Sequence, residues 1–150
     1  MCIRDSVLSD APVNWSGGDY GWYFELDEPG EKVIFRPVLR GSIVFFTTFI
    51  PNPDPCGQGG FSFFFSVDME NGSSPDEPEV DVNGDGIIDD NDRVSNGNTT
   101  GVMAARKLEG IAPNPVFVDN IAFTGGNKGI RVRDLPELPL GRFSWQELLQ

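Results

Sequence analysis

Histidine is absent from this 150-residue chain. Its absence removes the commonest general base, Ser-His-Asp chemistry and imidazole metal ligation. Cysteine is nearly absent, with only Cys2 and Cys56 present. Two thiols without histidine cannot supply the four ligands of a zinc site, so Cys56 reads as a structural or disulfide-bonded residue. Basic side chains are scarce: Lys plus Arg number 11 against 23 Asp plus Glu, a net charge of −12. Nucleic-acid binding needs a basic footprint and is excluded, whereas a soluble surface protein or a cation binder fits. No apolar run approaches the ~20 residues of a membrane-spanning helix. The first six residues, MCIRDS, lack the apolar core of a signal peptide. They read as a non-native start, which would make the chain the C-terminal piece of a longer protein.

What is present points to strands. Eighteen glycines and 12 prolines make up a fifth of the chain, and 12 phenylalanines provide apolar bulk. That balance suits a turn-rich all-β protein. Residues 1–19 read as a non-native start or linker, and GWYFEL (21–26) as a short aromatic strand. Residues 32–39 and 42–51 are β-branched and aromatic runs split by Arg40-Gly41, a hairpin signal. Residues 61–69 form a further strand, ended by the turn residues Asn71-Gly72. Its FSFFF run (61–65) is expected to be buried on both faces rather than to bind a ligand. Short strands are expected at 102–109, 115–118, 120–124 and 130–132, with a turn at 125–129. No helix follows that glycine-rich turn and no Ser or Thr follows Lys128, so it is not a phosphate loop. In the tail (134–150), Ser144 and Glu147 are spaced as a capping box for one helical turn over 144–149.

One segment repeats. PVLRGSIVF (37–45) parallels PVFVDNIAF (115–123), 78 positions further on. The shared pattern is a strand, a tight turn and a second strand, as in repeated propeller hairpins. Blades recur at ~40–50 residues, so the spacing fits only if an acidic insert of about residues 73–100 is set aside.

Inside that insert lies DVNGDGIIDDND (81–92). Oxygen donors recur at positions 1, 3 and 5, glycine stands at 6, an apolar residue at 8 and an acid at 12. Hard cations such as calcium take six to eight oxygens, and alternating acids on a tight loop can converge on one point. The expected ligands are Asp81, Asn83, Asp85, the Ile87 carbonyl, Asp89 and Asp92. Gly86 permits the sharp turn, and Ile88 is expected to anchor the loop to the core. Aspartate at position 12 reaches less far than the usual glutamate. The expected affinity is weak, ~10⁻⁴–10⁻³ M or somewhat tighter. Pro75 and Pro78 before the loop and SNGNTTG (95–101) after it disfavour helix–loop–helix geometry. The loop is expected to join strands.

GWYFEL, then EKVIFRPVLRGSIVFFTTFIPNPDPC (31–56), then GRFSWQEL (141–148) resemble the C-terminal end of the PilY-type (PilC/PilY) family. These are type IV pilus biogenesis factors and pilus-tip adhesins. The resemblance implies the C-terminal blades of a quinoprotein-like β-propeller: strands at 20–72 and 101–133 with the calcium loop inserted between them. It implies a cell-surface or pilus-tip location in a Gram-negative bacterium. The implied partners are pilus machinery, minor pilins, and host or abiotic surfaces. The family also binds calcium through an acidic propeller loop; residues 81–92 match a calcium-loop pattern and are either that site or an additional one. No catalytic set is present, and the quinone site of the propeller's relatives has no supporting residues. Two rival readings remain: a dockerin-like cohesin-binding module, which would need a helix after each loop, and a piece of a secreted calcium-dependent hydrolase.

Overall fold

In the computed structural model, residues 13–132 are described, except 15, 19, 24, 27, 55–58, 97–98 and 125–129. Cys2, Cys56, the 125–129 turn and the 134–150 tail with its expected helical turn lie outside them. The described residues are all-β, with one short 3-10 turn at Asp90–Asp92.

The two long apolar runs form the two long strands. β1 (Val38–Arg40) leads into β2 (Ile43–Pro51), which pairs with β3 (Gly60–Asp68). β2 and β3 run antiparallel through nine residue pairs, from Ile43↔Asp68 to Pro51↔Gly60. Two further strands, β4 (Arg93–Asn96) and β5 (Thr99–Val102), form a separate hairpin. β6 (Ala105–Glu109) then returns to pair with β3, giving one antiparallel sheet in the order β1-β2-β3-β6. The described residues end with a second sheet, β7 (Val116–Val118), β8 (Ile121–Phe123) and β9 (Ile130–Arg131).

The first sheet is buried on both sides, as the FSFFF run suggested. Side chains alternate across a strand, so Phe45 and Phe64 face one way and Phe46, Phe63 and Phe65 the other. On the first side, Phe45, Phe64 and Leu108 pack with Ala122 and Ile130 of the second sheet and with Val132 just after it. The Phe45 and Phe117 rings, one from each sheet, lie 5.0 Å apart. On the second side, Phe46 stacks on Phe65 at 4.8 Å, and Trp22 and Leu26 pack over the cluster. Fully burying a Phe side chain stabilises by ~1.5–3 kcal/mol, so this two-sided sheet dominates the core.

Three sequence expectations are corrected. The described residues of 21–26 are not a strand. Trp22 instead donates from Nε1 to the Met69 carbonyl at 3.0 Å and lies against Gly72, where a Cβ would run into the indole. Aromatic β-propensity was outweighed by this one packing site. The expected strand at 32–39 is broken: Lys32 pairs with Phe49, and pairing resumes only at Val38↔Phe45. Five residues (33–37) therefore oppose three on β2, and Pro37, which has no N–H, closes the bulge. The polar stretch 95–101, expected to break any helix after the loop, contributes to both strands of the β4–β5 hairpin. The expected strand at 102–109 is correspondingly split at Met103 and Ala104.

Candidate metal centre

Residues 81–92 sit in the connection between β3 and β6, neighbours in the first sheet. Val80, the residue before the loop, is buried in the inter-sheet core and bridges to Val132. From β6, Arg106 Nη1 donates to the Asp81 carbonyl at 3.0 Å. These contacts tie down the start of the loop. Ile88, the expected anchor, is only half-buried and joins neither core cluster. Neither Val80 nor Arg106 carries a sequence signal for this role, because both look like ordinary strand residues.

Within the loop, carboxylates gather backbone N–H groups. Asp81 Oδ1 accepts from Gly84 N at 2.6 Å and Oδ2 from Gly86 N at 3.0 Å. Gly84 and Gly86 both take positive φ, 81° and 87°, a conformation that favours glycine. Asn83 Oδ1 accepts from Asp85 N, and Asp85 Oδ1 from Ile87 N. Asp89 caps the 3-10 turn: its Oδ1 accepts from Asn91 N while its own N–H donates to Asp92 Oδ2.

Asp92 has the most consequential place. Its side chain is almost wholly buried, at 1% exposure. Oδ1 accepts from Val82 N at 2.7 Å and Asn83 N at 3.2 Å, so the twelfth residue clamps the second and third. Asp81 is also buried, whereas Asn83 and Asp85 are exposed, Asp89 is half-buried, and the Ile87 side chain points to solvent. The fold thus brings the two ends of the loop together at Asp81 and Asp92 and leaves the middle donors at the surface. Among the described residues, no three His, Cys, Asp or Glu side chains already converge as a metal cluster.

The donor set nevertheless suits a hard cation. All six expected positions offer oxygen and none offers sulfur or imidazole. A carboxylate has about four lone-pair sites. Asp81 commits two of them to backbone N–H groups and Asp92 three. Acceptor capacity remains, and bound N–H groups fix the direction of each carboxylate.

Known proteins give a consistent picture. No family model matches the chain. Type IV pilus biogenesis factor PilY1 of Pseudomonas aeruginosa is 28% identical over 92 residues, 55% of this chain and 8% of that protein. A PilY1 homolog of Xylella fastidiosa is 34% identical over 74 residues, 45% of this chain and 5% of that protein. The crystal structure of the P. aeruginosa PilY1 C-terminal domain superposes with a TM-score of 0.65. That match has 19% identity and covers 85% of this chain. This chain resembles PilY1, in its C-terminal domain. It spans less than a tenth of the curated PilY1 proteins it matches, and 27% of the crystallised PilY1 chain. The family resemblance read from the GWY, RPVLRG and DPC blocks therefore stands. At 19% identity, the likeness to the PilY1 crystal structure speaks for the all-β fold alone.

Proposed function

We propose that this chain is a non-enzymatic, calcium-binding segment of a type IV pilus assembly and adhesion protein at the surface of a Gram-negative bacterium. Its two sheets are blades of a β-propeller, and residues 81–92 are a calcium loop in the β3–β6 connection. The carrying observation is the agreement of sequence and fold similarity on one protein, PilY1. A four-stranded antiparallel sheet packed face to face on its neighbour is the unit a propeller repeats. The partners are pilus machinery or minor pilins, and a host or abiotic surface.

Calcium's part is structural in this reading. Asp81 and Asp92 hold the base, and Asn83, Asp85, Asp89 and the Ile87 carbonyl complete the oxygen set. The bound ion offsets the repulsion among four neighbouring carboxylates and orders the surface half of the loop. Binding then stabilises the folded chain, by ~2.7 kcal/mol when free calcium is 100 times the dissociation constant. Calorimetric titration and melting curves with and without calcium test this. A rise in Tm that disappears in Asp81→Ala/Asp85→Ala is expected, and an unchanged Tm in the native chain would sink the metal reading. The pilus reading is tested separately by pull-down of minor pilins on the immobilised chain.

The dockerin alternative loses ground on one observation. β4 begins at Arg93, directly after the loop, where a dockerin would place a helix.

A further inference from the structure

Asp81 stands at the seam between the two sheets. The residue before it, Val80, packs in the inter-sheet core with Phe45, Phe64 and Leu108. Val80 also forms an antiparallel bridge to Val132, just after β9. Val132 in turn donates its N–H to the Asn120 carbonyl at 2.8 Å, in the turn between β7 and β8. On the other side, Arg106 of β6 lies directly opposite Phe64, so it shares the face turned toward the second sheet. Its Nη1 donates to the Asp81 carbonyl at 3.0 Å. The stretch Val80-Asp81 is thus gripped by both sheets.

The loop closes on the same residue. The Asp81 carboxylate accepts from Gly84 N and Gly86 N. The buried Asp92 carboxylate accepts from Val82 N and Asn83 N, the two residues that follow Asp81. Opening the loop therefore frees the Asp81 side chain and the backbone just after it.

We propose that the 81–92 loop is a lock on the contact between the two sheets, with Arg106 as the positioning residue that joins it to the first sheet. The closed loop holds Asp81, and Asp81 holds both sheets. The open loop lets the second sheet part from the first more readily, by local opening rather than global unfolding. Whatever orders the loop is then felt at Val132, because the element they share has two states that both sites bias. An ion bound in the loop tightens the seam. That consequence rests on the calcium reading; the lock itself does not.

Amide hydrogen exchange of the whole chain, read residue by residue by NMR, tests it at three reporters. Gly86 N–H reports the loop and Val132 N–H the seam. Phe49 N–H, which donates to the Lys32 carbonyl at 2.9 Å, reports the body of the first sheet. Asp92→Asn puts an amide group where backbone N–H groups need an acceptor. It should speed exchange ~10-fold or more at Gly86 and Val132 together, with Phe49 changed less. Calcium should slow exchange at Gly86 and Val132 in the native chain. In Arg106→Met it should still slow Gly86 but no longer Val132, and Arg106→Lys, which keeps a donor, should restore the effect. Asp92→Asn that speeds Gly86 alone, or all three reporters equally, overturns the lock. So does calcium that slows Gly86 and leaves Val132 unchanged in the native chain, and the calcium reading then survives. An Arg106→Met chain that behaves as the native one overturns the part given to Arg106. If calcium gives no heat in calorimetric titration and moves no reporter, the calcium reading fails and Asp92→Asn decides the lock alone. Should Asp92→Asn fail to fold, Gly84→Ala, which strains the loop at φ 81° with no neighbour within 4 Å, takes its place with the same expected results.

Discussion

The hairpins β1–β2 and β7–β8 share a sequence pattern, a register and a turn, yet they have different fates. Both turns have two residues with positive φ at the first, 63° at Gly41 and 50° at Asp119. That is the backbone twist that lets two strands pair directly. β2 then runs on for nine residues and is buried on both sides, while β8 stops after three and has one side open. The difference lies outside the repeat. β2 continues into Phe46-Thr47-Thr48-Phe49-Ile50 and finds β3 as a partner along its whole length. β8 continues into Thr124 and the glycine-rich segment, and pairs with β9 at only two positions. Local pattern builds a hairpin; the length of partner strand available decides whether it becomes core.

Truncating the equivalent phenylalanines breaks this comparison most sharply. Phe45 is 2% exposed and Phe123 43%. Phe45→Ala should cost ~3–5 kcal/mol, as buried Phe→Ala changes do. Phe123→Ala should cost under ~1 kcal/mol, near the surface range. Urea unfolding of both variants measures the gap, and equal losses would mean that Phe123 is as buried as Phe45.

A smaller effect tests the contact between the hairpins. A double-mutant cycle on Phe45 and Phe117 should return a coupling of ~0.5–1.5 kcal/mol for the ring pair. The same cycle on Phe123 and Leu39, which belong to neither core cluster, should return none.

The smallest effects are at the turns. Gly41→Val forces a β-branched residue to positive φ and should lose ~1–2 kcal/mol. Asp119→Gly relieves a milder strain at the equivalent position and should leave stability unchanged or raise it by up to ~1 kcal/mol. Thermal melts resolve both, and opposite signs at the two turns would confirm that they share one backbone geometry.

Much of this fold was legible because it rests on local pattern. The runs at 42–51 and 61–69 became β2 and β3 almost residue for residue. What was misread depended on distant partners. Trp22 looked like a strand residue and is fixed by Gly72 and Met69, some 50 positions away. The β4–β5 hairpin has too little apolar alternation to be noticed, since Val94 and Val102 are its only apolar side chains. In the candidate site, the six loop positions were readable from spacing. Their division into a buried pair, Asp81 and Asp92, and surface donors was not, and neither was the support from Arg106 and Val80.

By itself, then, the sequence determined the two long strands, the tight turn at Gly41, the repeated hairpin and the exclusion of histidine-based chemistry, because each depends on residues close along the chain. Tertiary structure alone decided which hairpin's phenylalanine is covered among the described residues, Phe45, and which is exposed, Phe123. Arg40 and Val118, or Phe45 and Phe123, occupy the same place in the same local pattern, and only the sheet packed against one of them makes it core.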